Sequence, residues 1–173
     1  MILRIVGAFL VAGCAVSLSL FMVEGLKNRV RTLSEFLRSL EWIRSEIQFN
    51  KTPLNEIFEM LGKEIEGHAG AFFSRVYQMR CESEGTPLAL TLVKAAGEIP
   101  GESGLTKADR GVIKELSASL GKYDLEAQDR ALALAIRRLE RGLEEAKKKL
   151  GQDGKLYRTL GVTSGFLMFI FLI

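Results

Sequence analysis

Side chains able to do chemistry are few in this 173-residue chain, and their spacing does not suit them to it. His68 is the single histidine, set between Gly67 and Gly70 and apart from any motif. One imidazole does not make a metal centre, because zinc takes four protein ligands in a structural site and three in a catalytic one. The two cysteines, Cys14 and Cys81, fall in a hydrophobic terminal run and in the polar middle of the chain, so no disulfide is expected. Glu140 and Glu144 are i,i+4 neighbours on a helical pattern, but no Glu-x-x-His accompanies them to suggest a di-metal bundle. Gly97, Gly101 and Gly104 form a glycine-rich loop without the Lys-Ser/Thr pair of a phosphate cradle. A nucleophile elbow is absent as well. The chain therefore reads as a non-enzyme, with no catalytic residue, cofactor or metal site. Its net charge of +3 is too small to suggest a nucleic-acid footprint.

The two ends are more informative. Ile5 to Val23 carries no charge, and Arg4 is the only ionisable side chain before Glu24. About 20 apolar residues in a helix span a bilayer, and Arg4 can snorkel to the headgroups. A cleaved signal peptide fits less well, since no Ala-x-Ala stop interrupts the run. Val11-Ala12-Gly13-Cys14 resembles a lipid-attachment box, yet the sequence stays hydrophobic after the cysteine. Leu160 to Ile173 is likewise uncharged, though barely long enough to span. The alternative for this tail is docking in a soluble core. Small residues recur four apart at Ala8 and Ala12 in the first run, and at Gly161 and Gly165 in the second. Such spacing lets helices pack closely in lipid. Lys27, Arg29 and Arg31 follow the first run, and Lys147, Lys148, Lys149, Lys155 and Arg158 precede the second. Basic flanks on both sides place the middle in the cytoplasm. The expected organisation is a transmembrane helix at 1–24, a cytoplasmic helical domain at 25–155 and a transmembrane helix at 156–173.

The middle must be all-α. Leu33, Leu37, Leu40, Ile43 and Ile47 recur at steps of three and four, one helical stripe ending near Asn50. Thr52-Pro53 predicts a restart, with Thr52 as N-cap and Pro53 in the first turn. That second helix carries Leu54, Ile57, Phe58 and Leu61 inward to about Ile65. Gly67 and Gly70 are expected to bound a turn. A third helix holds Phe72, Phe73 and Val76, and a short fourth runs from Leu88 after Thr86-Pro87. Thr106 and Asp109 have the capping-box spacing at the head of a fifth, and Gly121 ends it. Asp124 is expected to cap a long sixth helix, whose Leu132, Ile136, Leu139, Leu143, Ala146 and Leu150 form a seam able to pack lengthwise on another helix. Six helices with short connections predict an antiparallel bundle flanked by the two terminal spans.

Over essentially its whole length the chain resembles the stage III sporulation protein AB family of endospore-forming bacteria. The features that carry the likeness are the N-terminal span, Leu40-Glu41 with Glu46-Ile47, then Thr52-Pro53-Leu54 with Glu56 behind it. Leu120-Gly121-x-x-Asp124-x-x-x-Gln128 opens the long helix, and Gly165-Phe166-Leu167 leads into the apolar tail. Tyr123 departs from the polar or histidine residue expected there. The resemblance implies a domain like the cytoplasmic domains of type II secretion and type IV pilus platform proteins. It implies a place in a mother-cell complex forming a channel toward the forespore, in the mother-cell or outer forespore membrane. It also implies a cytoplasmic ATPase partner, stage III sporulation protein AA, beside other membrane components of that complex. Homo-oligomerisation is left open. Glu41, Glu46, Thr52, Asp124 and Gln128, the polar members of the matching motifs, become the candidate partner-binding residues. Thr52 and Asp124 have an equally good reading as helix caps. A membrane-anchored signalling adaptor is the competing function. A transporter subunit fits poorly, with two spans and no charge at membrane depth.

Overall fold

The computed structural model describes residues 2–82, 85–121 and 125–172, with the side chains of 1–12, 15–16, 155–158, 160–162 and 164–173 outside the description. Six α-helices and no strand occur among the described residues: α1 Ile2–Ser45, α2 Leu54–Glu64, α3 Gly67–Glu82, α4 Leu88–Glu98, α5 Lys107–Ser119 and α6 Leu125–Leu172. A π-helical turn, Glu46–Asn50, closes α1, and a 3-10 turn, Gly101–Ser103, lies between α4 and α5.

Two helices dominate. At 44 and 48 residues, α1 and α6 are about 66 and 72 Å long. Arg44 reaches Asp129, and Gly142 faces Arg29 and Leu33. The residue numbers run in opposite senses, so the pair is antiparallel. The stripe Leu33, Leu37, Leu40, Ile43 and Ile47 is buried on one side of the seam, and Leu132, Ile136, Leu139 and Ala146 on the other. Leu143 and Leu150 are half-buried. The α4–α5 hairpin reaches α6 through α5, whose Ile113 and Leu116 are buried, and the α2–α3 hairpin packs on α1 through an aromatic cluster. In it Phe72 meets Phe73 edge-on at 4.9 Å, Phe36 lies 5.5 Å from Phe72, and Phe58 stacks on Phe73 at 5.9 Å. The core leaves an apolar void of about 20 Å³ among Phe36, Leu92, Leu116 and Leu139. That holds one water at most, and the Ser117 hydroxyl is the one polar side chain in its lining, too few partners to hold a water well.

Several expected boundaries move. The uncharged terminal runs are not separate elements but the ends of α1 and α6, with no break near 24 or 155. Thr32-Leu33-Ser34-Glu35 has the capping-box form, but it lies inside a helix that runs on from the N-terminal run and needs no cap there. Thr32 is buried, and its hydroxyl has no hydrogen-bond partner among the described residues. The spans expected at 1–24 and 156–173 fall largely on undescribed side chains, and among the described residues no helix is long and apolar enough to cross a membrane. Thr52 is not the cap of α2. Pro53 takes that place, its extended ψ of 137° turning the chain into the helix, and Pro87 does the same for α4. The cap at Asp124 lies outside the described residues. Thr106 and Asp109 form the expected capping box.

Gly70 does not bound a turn. It is buried in the first turn of α3, where a Cβ would stand 1.7 Å from the Ile65 carbonyl oxygen. Backbone cannot rotate away as a side chain can, so Gly70→Ala must displace the start of α3. Overpacking of this kind costs about 1–3 kcal/mol. The Gly70→Ala melt should fall accordingly, whereas Gly97→Ala, where a Cβ meets nothing within 4 Å, should melt at or above wild type. Equal melts for the two variants would refute the close approach.

Candidate docking surface on the helix pair

Where α1 ends, the sequence candidates divide. Glu46 opens the π-helical turn and its carboxylate collects three donors: Thr52 Oγ1 at 2.6 Å, Asn50 Nδ2 at 3.0 Å and Trp42 Nε1 at 3.3 Å. Thr52 is thereby tied to Glu46 rather than to its own helix. The Lys51 N–H closes on the Glu46 carbonyl, with Lys51 in the left-handed region at φ 54°. Wide turns of this kind need local support, which the carboxylate supplies. The bonds from Thr52, then Asn50, and more weakly Trp42, outweigh desolvation and hold the Glu46 carboxyl below its ordinary pKa. A group whose folded pKa is depressed adds stability above its unfolded pKa, and that contribution is lost as pH falls through the folded one. Glu46→Gln should therefore lower the melting temperature at neutral pH and make little difference in acid. Glu41→Gln should leave the melt unchanged at either pH. A Glu46→Gln melt equal to wild type at neutral pH would remove the carboxylate from the architecture.

Glu41 is exposed and makes no hydrogen bond or ion pair with any described residue. With Arg44, Gln48, Phe49, Arg137 and Glu140 it lines a groove of about 490 Å³ between the last turns of α1 and the first half of α6. Of the lining residues, Arg44 is held in place by a bidentate pair with Asp129, which lies in the adjoining hollow. Arg44 Nε and Nη2 donate to Asp129 at 2.5 and 3.1 Å, and Gln48 Nε2 adds a bond to Asp129 at 2.6 Å. The Arg44 guanidinium draws the Asp129 carboxyl below its ordinary pKa, so both stay charged and mutually neutralised. Phe49 rises from the rim 78% exposed, and Leu125, beyond Gln48, is 58% exposed. Gln128 is half-buried in the first turn of α6 and makes polar contacts of its own. Asp124 lies outside the described residues. Ala8 and Ala12 stand on α1, and Gly161 and Gly165 on α6, in the parts whose packing is not described.

Sequence reasoning missed Phe49, Arg44, Gln48 and Asp129. Phe49 carries a visible signal, since it falls off the stripe that ends at Ile47. The Arg44–Asp129 pair spans 85 residues and has no local trace. Among the described residues no three His, Cys, Asp or Glu side chains converge as a metal ion requires. His68, in the first turn of α3, borders a shallow hollow with Arg75 and Glu98.

An all-α protein built on one long antiparallel helix pair, with an aromatic rim over a neutralised charge pair at the pair's end, is what these features define. The chain belongs to the stage III sporulation protein AB family, whose model matches residues 4–173. It is 20% identical over 170 residues to the stage III sporulation protein AB of Bacillus subtilis strain 168, covering 98% of this chain and 99% of that protein. A solved structure of a stage III sporulation protein AB superimposes with a TM-score of 0.65 at 20% identity, over 71% of this chain and 96% of the other. That superposition bears on the fold.

Proposed function

We propose that the chain is a non-enzymatic membrane platform within a sporulation channel complex between mother cell and forespore. In this reading residues 1–24 and 156–173 lie in the mother-cell or outer forespore membrane. The domain between them is cytoplasmic and docks a cytoplasmic ATPase, stage III sporulation protein AA. The observation that carries the reading is the continuity of α1 and α6. The helices bearing the two uncharged terminal runs are themselves the spine of the domain. An anchor made this way has no hinge, so force applied by a motor at the far end of the pair is held against the membrane. The groove beside Glu41 lies at that far end.

Exposed aromatic anchors over a rigid support are where binding energy concentrates at interfaces, with truncation of one costing about 2 kcal/mol or more. Phe49→Ala should therefore weaken capture of the ATPase about 30-fold without moving the melt, and Glu41→Lys should weaken it through charge alone. A reporter inserted within Gly101–Gly104 should behave as cytoplasmic. Export-dependent activity of that reporter would overturn the orientation, and undiminished ATPase capture by Phe49→Ala would move docking off this groove.

A further inference from the structure

A second surface lies at the opposite end of the helix pair. Lys147, Lys148 and Lys149 are all exposed and form no ion pair with any described residue. The register of the pair is fixed at two places, where Arg44 meets Asp129 and where Gly142 faces Arg29 and Leu33. Five to seven residues beyond Gly142 on α6, and as far back on α1, the three lysines stand level with Glu24 to Leu26. One turn further on, α1 turns outward an apolar band: Leu18 is 59% exposed, Leu20 56%, Phe21 77% and Met22 45%. Glu144 and Glu145, also exposed, lie one turn back on the side away from that band. On α6 the three lysines thus stand between Glu144 and Glu145 and the level of the apolar band, with Asp153, half-buried, one turn beyond them.

We propose that Lys147, Lys148 and Lys149, set one helical turn above the apolar band Leu18–Met22, bind the phosphates of anionic lipid headgroups. This rests on the membrane reading above and adds to it a lipid preference. The geometry selects a surface over a pocket. Consecutive helical residues are about 100° apart, so three neighbouring lysines fan over more than half of the helix circumference. They cannot converge on one anion, but they match a plane of phosphates. Their flexible stems let the ammonium groups follow that plane while the helix stays fixed. On α1 at the same level, Lys27 is held to Glu24 by a 3.5 Å contact between side chains about 60% exposed. Such a pair is weak and leaves Lys27 able to join the layer. The band below supplies the apolar contact that a soluble phosphate ligand would have no use for.

A lysine near an anionic surface contributes about fivefold in affinity, so three together give on the order of a hundredfold, less at high salt. The test is thermal unfolding of the full chain in neutral maltoside micelles, titrated with phosphatidylglycerol or with phosphatidylcholine. The melt should rise with phosphatidylglycerol and stay flat with phosphatidylcholine. The triple variant Lys147→Gln, Lys148→Gln, Lys149→Gln should fold alike but shift its half-saturation upward by on the order of a hundredfold at low salt, and by less as salt is raised. A control, Lys63→Gln, Lys107→Gln, Lys114→Gln, removes equal charge elsewhere and should titrate as wild type. Equal stabilisation by both lipids, or an unchanged titration of the triple variant, would overturn the assignment. The same rise with inorganic phosphate would make it a free-anion site and also overturn it. Failure of the membrane reading shows separately, as a chain that stays in the supernatant when cells are broken and spun without detergent.

Discussion

Leu139→Asp is expected to abolish the cooperative melt of the full chain. Leu139 is 1% exposed and sits on the α1-facing side of α6, where the seam meets Phe36, Phe73 and Leu116. Truncating a buried leucine costs about 2–5 kcal/mol. An unpaired carboxylate there adds several more, or else takes up a proton and remains an unsatisfied polar group. A domain of this size is stable by about 5–15 kcal/mol, so the two losses together approach the whole. The void beside Leu139 has room for about one water, and its walls are apolar but for the Ser117 hydroxyl, so the new carboxylate finds one donor at most. Leu139→Met keeps volume and polarity, and should cost less than about 1.5 kcal/mol. Far-UV circular dichroism in neutral detergent distinguishes the outcomes. A wild-type melt for the aspartate variant would mean that α6 does not bury this face against α1.

Much of the fold is legible in the sequence because the helix pair is written as two periodic stripes. Leu33 to Ile47 and Leu132 to Leu150 each keep a three-and-four step, and both are buried or half-buried where they were expected to be. The capping box at Thr106 and Asp109 is local chemistry and reads equally well. What misleads is punctuation whose meaning depends on a distant element. Gly70 resembles a turn residue, but it is there because the Ile65 carbonyl crosses where a Cβ would be. Thr52-Pro53 resembles a capped start, and Pro53 does begin the helix, but the hydroxyl of Thr52 answers to Glu46 six residues back. Thr32 to Glu35 has the letters of a capping box in the middle of a helix that runs unbroken from Ile2 to Ser45. Glu35 instead lays its carboxylate against the start of α3, where a Cβ on Gly67 would be 2.3 Å from it.

The candidate surface was only half legible. Glu41 and Glu46 look alike in sequence, each a glutamate beside an apolar stripe, and their environments separate them. Glu46 is committed to three donors, whereas Glu41, at the rim of the groove, bonds to no described residue. No period or spacing could distinguish them, because two of the three donors arrive from the π-helical turn and the residues after it. Gly142 did carry an unread signal. A glycine in the middle of a helix costs about 1 kcal/mol against alanine, so a packing reason is to be sought. Here the reason is Asp109, whose Oδ1 would lie 2.9 Å from a Cβ on Gly142.

That contact marks the second large effect, the buried pair between Arg29 and Asp109. Arg29 Nε and Nη2 donate to Asp109 at 2.9 and 3.2 Å, with side chains only 12% and 5% exposed. The Asp109 carboxylate also accepts the Thr106 N–H at 2.9 Å. One aspartate thus caps α5 and fastens it to α1, beside Gly104, whose missing Cβ would stand 2.5 Å from the Gly25 carbonyl oxygen. Burial is the largest influence on Asp109 and pushes its pKa up, but the Arg29 and Thr106 bonds together bring it below the ordinary carboxylate value. Arg29→Met removes the cation and leaves the carboxylate buried, at a cost of about 3–5 kcal/mol. Arg29→Met with Asp109→Asn keeps an acceptor for the cap and removes the stranded charge, so it should recover most of that loss. The pH dependence provides the sharper test. With Arg29 present the folded pKa is depressed, so the pair's stability is complete above the unfolded value, about 3.9, and is lost as pH falls through the folded one. With Arg29 gone, burial raises the folded pKa, and protonation then relieves the variant. The gap between the wild-type and Arg29→Met melts should therefore be widest at neutral pH and close as pH falls toward 4, while the double variant keeps a nearly constant offset. A gap that stays constant down to that pH would mean that Arg29 acts through packing alone, and that Asp109 is held by its cap.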